Sequence, residues 1–200
     1  MRPPFLTGGL TSLTGLTGLL LACALPAASG LAQQVPPCRR GRVSDFAGTS
    51  CSQRSVTYTF PRDFFSFSST GLQPLTADQV RIGMDPQGPY TMLIGFTDWD
   101  LNAPNESFTM TLHFSVTGGD RMEAWMHHCY TTGTGEVTAS ITVKTNPPVS
   151  STAVCNATTQ LERAPAAWYT PGPVDAVVTI KASSGNGTAG LRSLGTHFGP

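Results

Sequence analysis

Four side chains near the middle of the chain carry its softest ligand chemistry: His113, Met122, Met126 and His128. Imidazoles and thioethers together suit copper. Ser107 to Thr117 alternates apolar and polar residues, Arg121 to Tyr130 does so more weakly, and Gly118-Gly119 stands between them. A tight hairpin at that glycine pair sets Val116 opposite Arg121 and Leu112 opposite Trp125. Trp125, His127 and Cys129 then share the core face with Leu112 and Phe114. Met122, Ala124, Met126 and His128 take the wet face, and His113 comes opposite Ala124 with both methionines on its diagonals. The competing reading is plain. Methionines on a second face pack against another layer, and single histidines are ordinary polar residues.

Asp98, Asp100 and Asn102 offer a second chemistry, alternating oxygen ligands like the start of a calcium loop. An EF-hand needs Gly where Ala103 stands and Glu where Thr109 stands, so only a looser calcium site between strands is expected, or else a solvated turn. The stretch also allows a calcium- or carbohydrate-binding module. The copper set allows a metallochaperone or a superoxide-dismutase-like redox enzyme, although the H-x-H spacing of that enzyme's ligand strand is missing. There is no G-x-S-x-G elbow, P-loop, G-x-G-x-x-G or H-E-x-x-H. The expectation is therefore a non-enzymatic protein with no assigned catalytic residue, and copper or calcium as the candidate cofactors.

These side chains must be positioned by strands. Period-two alternation runs through 55–60, 90–98, 107–117, 136–144 and 176–182, with Gln79 to Met84 and Arg121 to Tyr130 as weaker cases. Gly, Pro and Asn clusters punctuate the runs, and no segment has a helical period. An antiparallel β-sandwich of seven to nine strands follows, Ig-like or jelly-roll. Phe60, Phe64, Phe65 and Phe67 read as a core corner or as an exposed docking patch. Residues 33–53 read as an arm or first strand, and Gly185 to Pro200 as a loose tail. Sequons stand at Asn105, Asn156 and Asn186.

The compartment is written at the N-terminus. Met1-Arg2, an apolar run from Leu10 to Leu25 and the small residues 27–32 match an export signal over 1–32. Cleavage after Gly30 or Ala32 leaves one domain over 33–200. Leu20-Leu21-Ala22-Cys23 alternatively fits a lipobox, with a lipid anchor at Cys23. Either processing leaves four cysteines, and short loops favour Cys38–Cys51 and Cys129–Cys155 as disulfides. No C-x-x-C pair supports zinc. No later stretch is apolar enough to span a membrane as a helix.

Charged residues make up 12% of the chain and net charge is +0, which excludes the basic footprint of a nucleic-acid binder. Only Lys144 and Lys181 are lysines, and the Ala, Gly, Pro and Thr content suggests a GC-rich bacterial genome. The expected protein is extracytoplasmic, in the periplasm, the outer membrane or at the cell surface. It is a structural or accessory subunit of an S-layer-like assembly whose partners are other envelope proteins.

Overall fold

Alternation decides which side of each strand is dry, and two sheets close on the dry sides. The computed structural model describes residues 34–84, 92–96 and 100–199. The expected export signal, Cys23 and Asp98 lie outside the described residues. In chain order the strands are Gly41–Arg42 (β1), Ser50–Gln53 (β2), Val56–Thr59 (β3), Phe65–Thr70 (β4), Val80–Gly83 (β5), Met92–Phe96 (β6), Asp100–Leu101 (β7), Ser107–Thr117 (β8), Arg121–Thr132 (β9), Glu136–Val143 (β10), Val149–Asn156 (β11), Gln160–Leu161 (β12), Ala167–Trp168 (β13), Val174–Ser183 (β14) and Thr188–Gly199 (β15). A single helical turn spans Val43–Phe46 (α1). The expected β-sandwich is present, with more and shorter strands than the seven to nine anticipated.

One sheet has eight strands, ordered β12-β11-β10-β14-β8-β3-β2, with β4 also paired to β8. The other has seven, ordered β1-β5-β6-β15-β9-β13, with β7 also paired to β15. The pairings are antiparallel, so each sheet can bury one face and wet the other. In the first sheet Leu112, Val178 and Ile141 sit in one cross-strand row and are fully buried. Tyr58, Phe60, Phe114 and Phe198 pack ring against ring, with Phe198 supplied by the second sheet. Phe60 and Phe64 are core, as one reading of the aromatic run held, while Phe65 and Phe67 are partly buried.

Both expected disulfides are present. Cys38–Cys51 closes a 13-residue separation. Cys129–Cys155 joins β9 to β11 and so ties one sheet to the other.

Three expectations are corrected. First, Gly118-Gly119 does not make a hairpin. Val116 pairs with Val174 and Tyr58, whereas Arg121 pairs with Gly199 and Trp168, so β8 and β9 lie in different sheets. Gly118 and Gly119 have φ of 92° and 81°, and a side chain at Gly118 would collide with the Ser55 carbonyl oxygen. The glycines let the chain cross between sheets, Gly118 against the turn between β2 and β3 and Gly119 against Gly199.

Second, the faces of β9 are reversed. Met122, Ala124 and Met126 are buried, and Arg121, Glu123, Trp125 and His127 take the other side. The phase then shifts at His128, whose φ is 53°, so that Cys129 rather than His128 turns inward to its disulfide. β15 shifts in step: Ala189 and Leu191 are buried before Arg192, and Leu194, Thr196 and Phe198 after it.

Third, the tail is not loose. β15 is a central strand, paired with β9 along its length and with β6 and β7 on its other side.

Residues 160–168 form a strap across one open side. β12 pairs with β11 in the first sheet, and β13 pairs with β9 in the second. Between them Arg163 bridges to Trp125. Ser151, buried on β11, donates to Pro165 O at 2.9 Å and accepts from Ala124 N at 3.2 Å. Two strands that would otherwise end their sheets are thus capped by very short ones, a protection against unwanted pairing. Among the described residues no helix is long and apolar enough to cross a membrane.

Candidate functional site

The strap delivers Trp168 and Tyr169 to the end of the sandwich where β10 turns into β11. Trp168 pairs with Arg121 and is 61% exposed. The Arg121 guanidinium lies 5.6 Å from the Trp168 ring centre. Its Nη2 reaches Glu123 Oε1 at 3.0 Å. Arg163 Nη2 approaches the same carboxylate at 3.1 and 3.3 Å, and Trp125 Nε1 donates to it at 3.3 Å. Arg163 in turn lies 4.2 Å over the Trp125 ring. The result is a ladder across β9: aromatic, cation, anion, cation, aromatic. Glu123 is only 5% exposed, and two guanidiniums compensate a charge that burial alone would penalise heavily. The ladder clamps the strap to the sheet and makes Trp168 a fixed platform.

Beside that platform lies a shallow groove of about 370 Å³. Thr145, Asn146 and Pro147 form one bank, and Tyr169, Thr170 and Pro171 the other. Tyr169, on the groove's bank, and the residues across from the strap, Asp120 and Arg121, each carry a buried polar atom with no hydrogen-bond partner among the described residues: Tyr169 Oη, Asp120 Oδ1 and Arg121 Nε. The backbone joins them, since Tyr169 N donates to Asp120 O at 2.7 Å. Burial, and then the nearby Asp120 charge, push the Tyr169 hydroxyl up to about 12, so it keeps its proton. Native proteins pair nearly all buried polar atoms, and each exception asks for a cause. Here a phenol, a carboxylate oxygen and a guanidinium N–H on neighbouring residues are unpaired.

The sequence-predicted residues lie elsewhere. His113 is exposed on the outer face of the eight-stranded sheet, paired with Val177. Met122 and Met126 are buried between the sheets, at 0% and 2% exposure. His128 is exposed on the seven-stranded sheet. The four do not share a face, because the chain crosses between sheets at Gly118. Among the described residues no three His, Cys, Asp or Glu side chains group as a metal would require. Asp98 lies outside the described residues. Asp100 accepts a hydrogen bond from Tyr130, and Asn102 Nδ2 reaches Asp100 O at 3.4 Å. Glu106 Oε2 accepts from the amides of Asn102 and Ala103, each at 2.9 Å.

Trp168, Tyr169, Asp120 and Arg121 were not singled out as a group by sequence reasoning. Their one signal is local: an aromatic pair directly before Thr170-Pro171-Gly172-Pro173, in a stretch without strand alternation. The chain matches no protein-family model, no curated protein and no solved structure.

Proposed function

We propose that this protein is a non-enzymatic β-sandwich of the bacterial envelope, an accessory surface subunit that holds neutral carbohydrate in the Trp168 groove. The observation that carries the reading is a 61% exposed indole beside a groove whose banks carry Thr145, Asn146, Tyr169 and Thr170. A pyranose has an apolar face of C–H bonds and a rim of hydroxyls. The face stacks on an aromatic ring. The rim needs donors and acceptors converging from one side, which Thr145, Asn146, Tyr169 and Thr170 supply. The groove's near ions offset one another, Arg121 and Arg163 against Glu123 and Asp120, which favours an uncharged glycan. Placement outside the cytoplasm is supported by the export-type segment over 1–32 and by two disulfides.

The test is affinity electrophoresis and calorimetry of the full chain against soluble neutral polysaccharides, with Trp168→Ala alongside. Binding by the native chain that disappears in a folded Trp168→Ala variant is the expected result. No binding across the panel, or binding that survives the substitution, overturns the reading.

A second role, lateral pairing with another envelope protein, is supported by β4. It pairs with β8 on one side and with no described strand on the other, and an open edge is a template for a further strand. Crosslinking in the native envelope tests it: a protein captured through β4 supports the role, and a chain recovered only as a monomer counts against it.

A further inference from the structure

Charge is unevenly placed along this neutral chain. Residues 34–84 hold six arginines and three aspartates, whereas 100–199 hold five cations and seven carboxylates. Two of the arginines face each other: Arg42 on β1 pairs in register with Arg81 on β5. Both are exposed, and Arg81 stands between buried Val80 and Ile82, so the pair rises from the outer face of the seven-stranded sheet. Arg40 joins them. Its Nε lies 3.5 Å from where a side chain at Gly83 would begin, and Gly83 follows Arg81 by two along β5, on the same face. Arg39 is exposed as well. None of these four guanidiniums has an ion-pair partner among the described residues. Two carboxylates of the region are engaged with α1: Asp45 accepts from Arg42 N at 2.7 Å, and Asp78 from the Ser44 hydroxyl.

Like charges directly opposite across two strands destabilise a sheet. Such a local conflict, left uncompensated, marks a surface kept for something else. The arginines are also held in place. Cys38, immediately before Arg39, is tied to Cys51 on β2, and Ser52 N donates to Pro36 O at 2.8 Å. Residues 39–40 thus cross from the eight-stranded sheet to the seven-stranded one at a fixed point. Beside Arg81, in register, stands Gly95, where a side chain would meet nothing within 4 Å. The row runs on through Ser193 to His127 and carries no carboxylate. The next row runs from Gly83 through Leu93 and Gly195 to Trp125 and carries none either.

We propose that the β1–β5 corner of this sheet docks on an anionic lipid surface, with Arg40, Arg42 and Arg81 on headgroup phosphates. Guanidiniums take phosphate oxygens by paired, charge-assisted hydrogen bonds. Two observations favour a lipid surface over an acidic glycan. Neither row holds a Phe, Tyr or Trp before Trp125 on β9, so a sugar ring has no platform beside the arginines. The lipobox match at Leu20-Leu21-Ala22-Cys23 also puts one lipid signal a short stretch of chain before Arg39, and stable anchoring takes a second signal such as a basic patch. β1 and β13 are opposite edges of the same sheet, so docking at the β1 edge leaves the Trp168 edge free.

The test is co-sedimentation of the full chain with mixed phosphatidylglycerol–phosphatidylcholine vesicles and with phosphatidylcholine vesicles. The apolar run from Leu10 to Leu25 acts on both, so the quantity read is the ratio of the two affinities. Anionic vesicles should be preferred, and the preference should fade as added salt screens the charges. Arg40→Gln should lower the ratio about five-fold, and Arg42→Gln/Arg81→Gln about thirty-fold. The double variant relieves a like-charge pair and should fold; thermal melts check both, and either suffices should the other fail. Lys144→Gln/Lys181→Gln makes the same change in net charge elsewhere and should leave the ratio unchanged. Equal affinity for the two vesicles, an unchanged ratio in a folded arginine variant, or an equal fall in the lysine variant overturns the proposal. So does alginate that strips the protein from anionic vesicles at matched charge, which gives the face to an acidic glycan. Trp168→Ala should leave the ratio unchanged, which separates failure here from failure of the carbohydrate reading.

Discussion

At one end of the sandwich most polar side chains of the turns are paired with backbone groups or with one another, Thr131 Oγ1 on β9 being an exception; at the other, several are buried and left unpaired. Around 102–106 and 184–188, Glu106 holds two backbone amides, Ser184 accepts from Glu106 N at 3.0 Å, Thr134 Oγ1 accepts from Asn186 N at 2.8 Å, and the Thr132 and Thr188 hydroxyls meet at 2.8 Å. Around 120, 145–149 and 168–171, Tyr169 Oη, Asp120 Oδ1 and Arg121 Nε have no partner among the described residues. Both ends are built from loops between strands of the same two sheets, so loop chemistry as such does not account for the contrast. A turn whose polar groups satisfy one another stabilises the fold and has little left to offer a polar ligand. A turn with unpaired polar atoms gives up stability and retains hydrogen-bonding capacity for something from outside.

The largest test of that contrast is Trp168→Ala. The stacking platform goes, and carbohydrate affinity should fall roughly ten- to hundred-fold. Because the side chain is largely exposed, stability should change by less than about 1 kcal/mol. Calorimetric titration and a thermal melt of the same sample read both numbers. Ser184→Ala is the mirror experiment. It leaves Glu106 N and Ala103 O without their buried partner and should cost about 1–3 kcal/mol, seen as a melting point lower by roughly 5 °C. Carbohydrate affinity should be unchanged. If Ser184→Ala weakens carbohydrate binding, or Trp168→Ala unfolds the chain, the division of labour between the two ends fails.

Much of this fold was legible in the sequence, and the reasons differ between strands. β8, β10 and β14 bury every second residue on one face, so period-two alternation found them and the sandwich with them. Cys129–Cys155 was legible from loop length alone. β15 was hidden by its glycines. Gly190, Gly195 and Gly199 lie opposite Tyr130, Trp125 and Arg121, so the large side chains of β9 have small partners where a hydrophobic pattern would otherwise show. The shift of phase at His128 and Arg192 broke the remaining alternation on both strands. The proposed copper set depended on reading Gly118-Gly119 as a hairpin; a glycine pair marks a tight place but does not say which sheet the next strand joins. The groove was nearly invisible for a related cause. Asp120 and Arg121 come from one crossing and Trp168 and Tyr169 from another, and only the β13–β9 pairing brings them together.

Tyr169→Phe sharpens the comparison, because it should move stability and binding in opposite directions. Removing a buried hydroxyl without a partner should raise stability by about 1 kcal/mol. The same change removes a donor and acceptor from the groove and should weaken carbohydrate binding about ten-fold. A structural tyrosine would lose stability or leave both unchanged. In the native chain the hydroxyl titrates only near 12, so binding through it should be flat between pH 5 and 8.

The smallest expected effect lies on β9 between the two ends. Burial, and then the charge of neighbouring His128, hold His127 below its usual 6.5, with Glu162 pulling the other way. An unfolded chain takes up that proton at about 6.5, and the folded chain only at lower pH. Between those two values the unfolded state binds more protons, so stability rises with pH across that window and is flat on either side of it. The melting point should therefore fall modestly as pH drops from 7.5 to 5, and His127→Gln should remove that part of the slope. Carbohydrate affinity over the same range should stay constant in both proteins. An affinity that tracks the melting point would mean that binding and folding share the ladder from Trp125 to Trp168, and that the groove is less independent of the sheet beneath it than its unpaired atoms indicate.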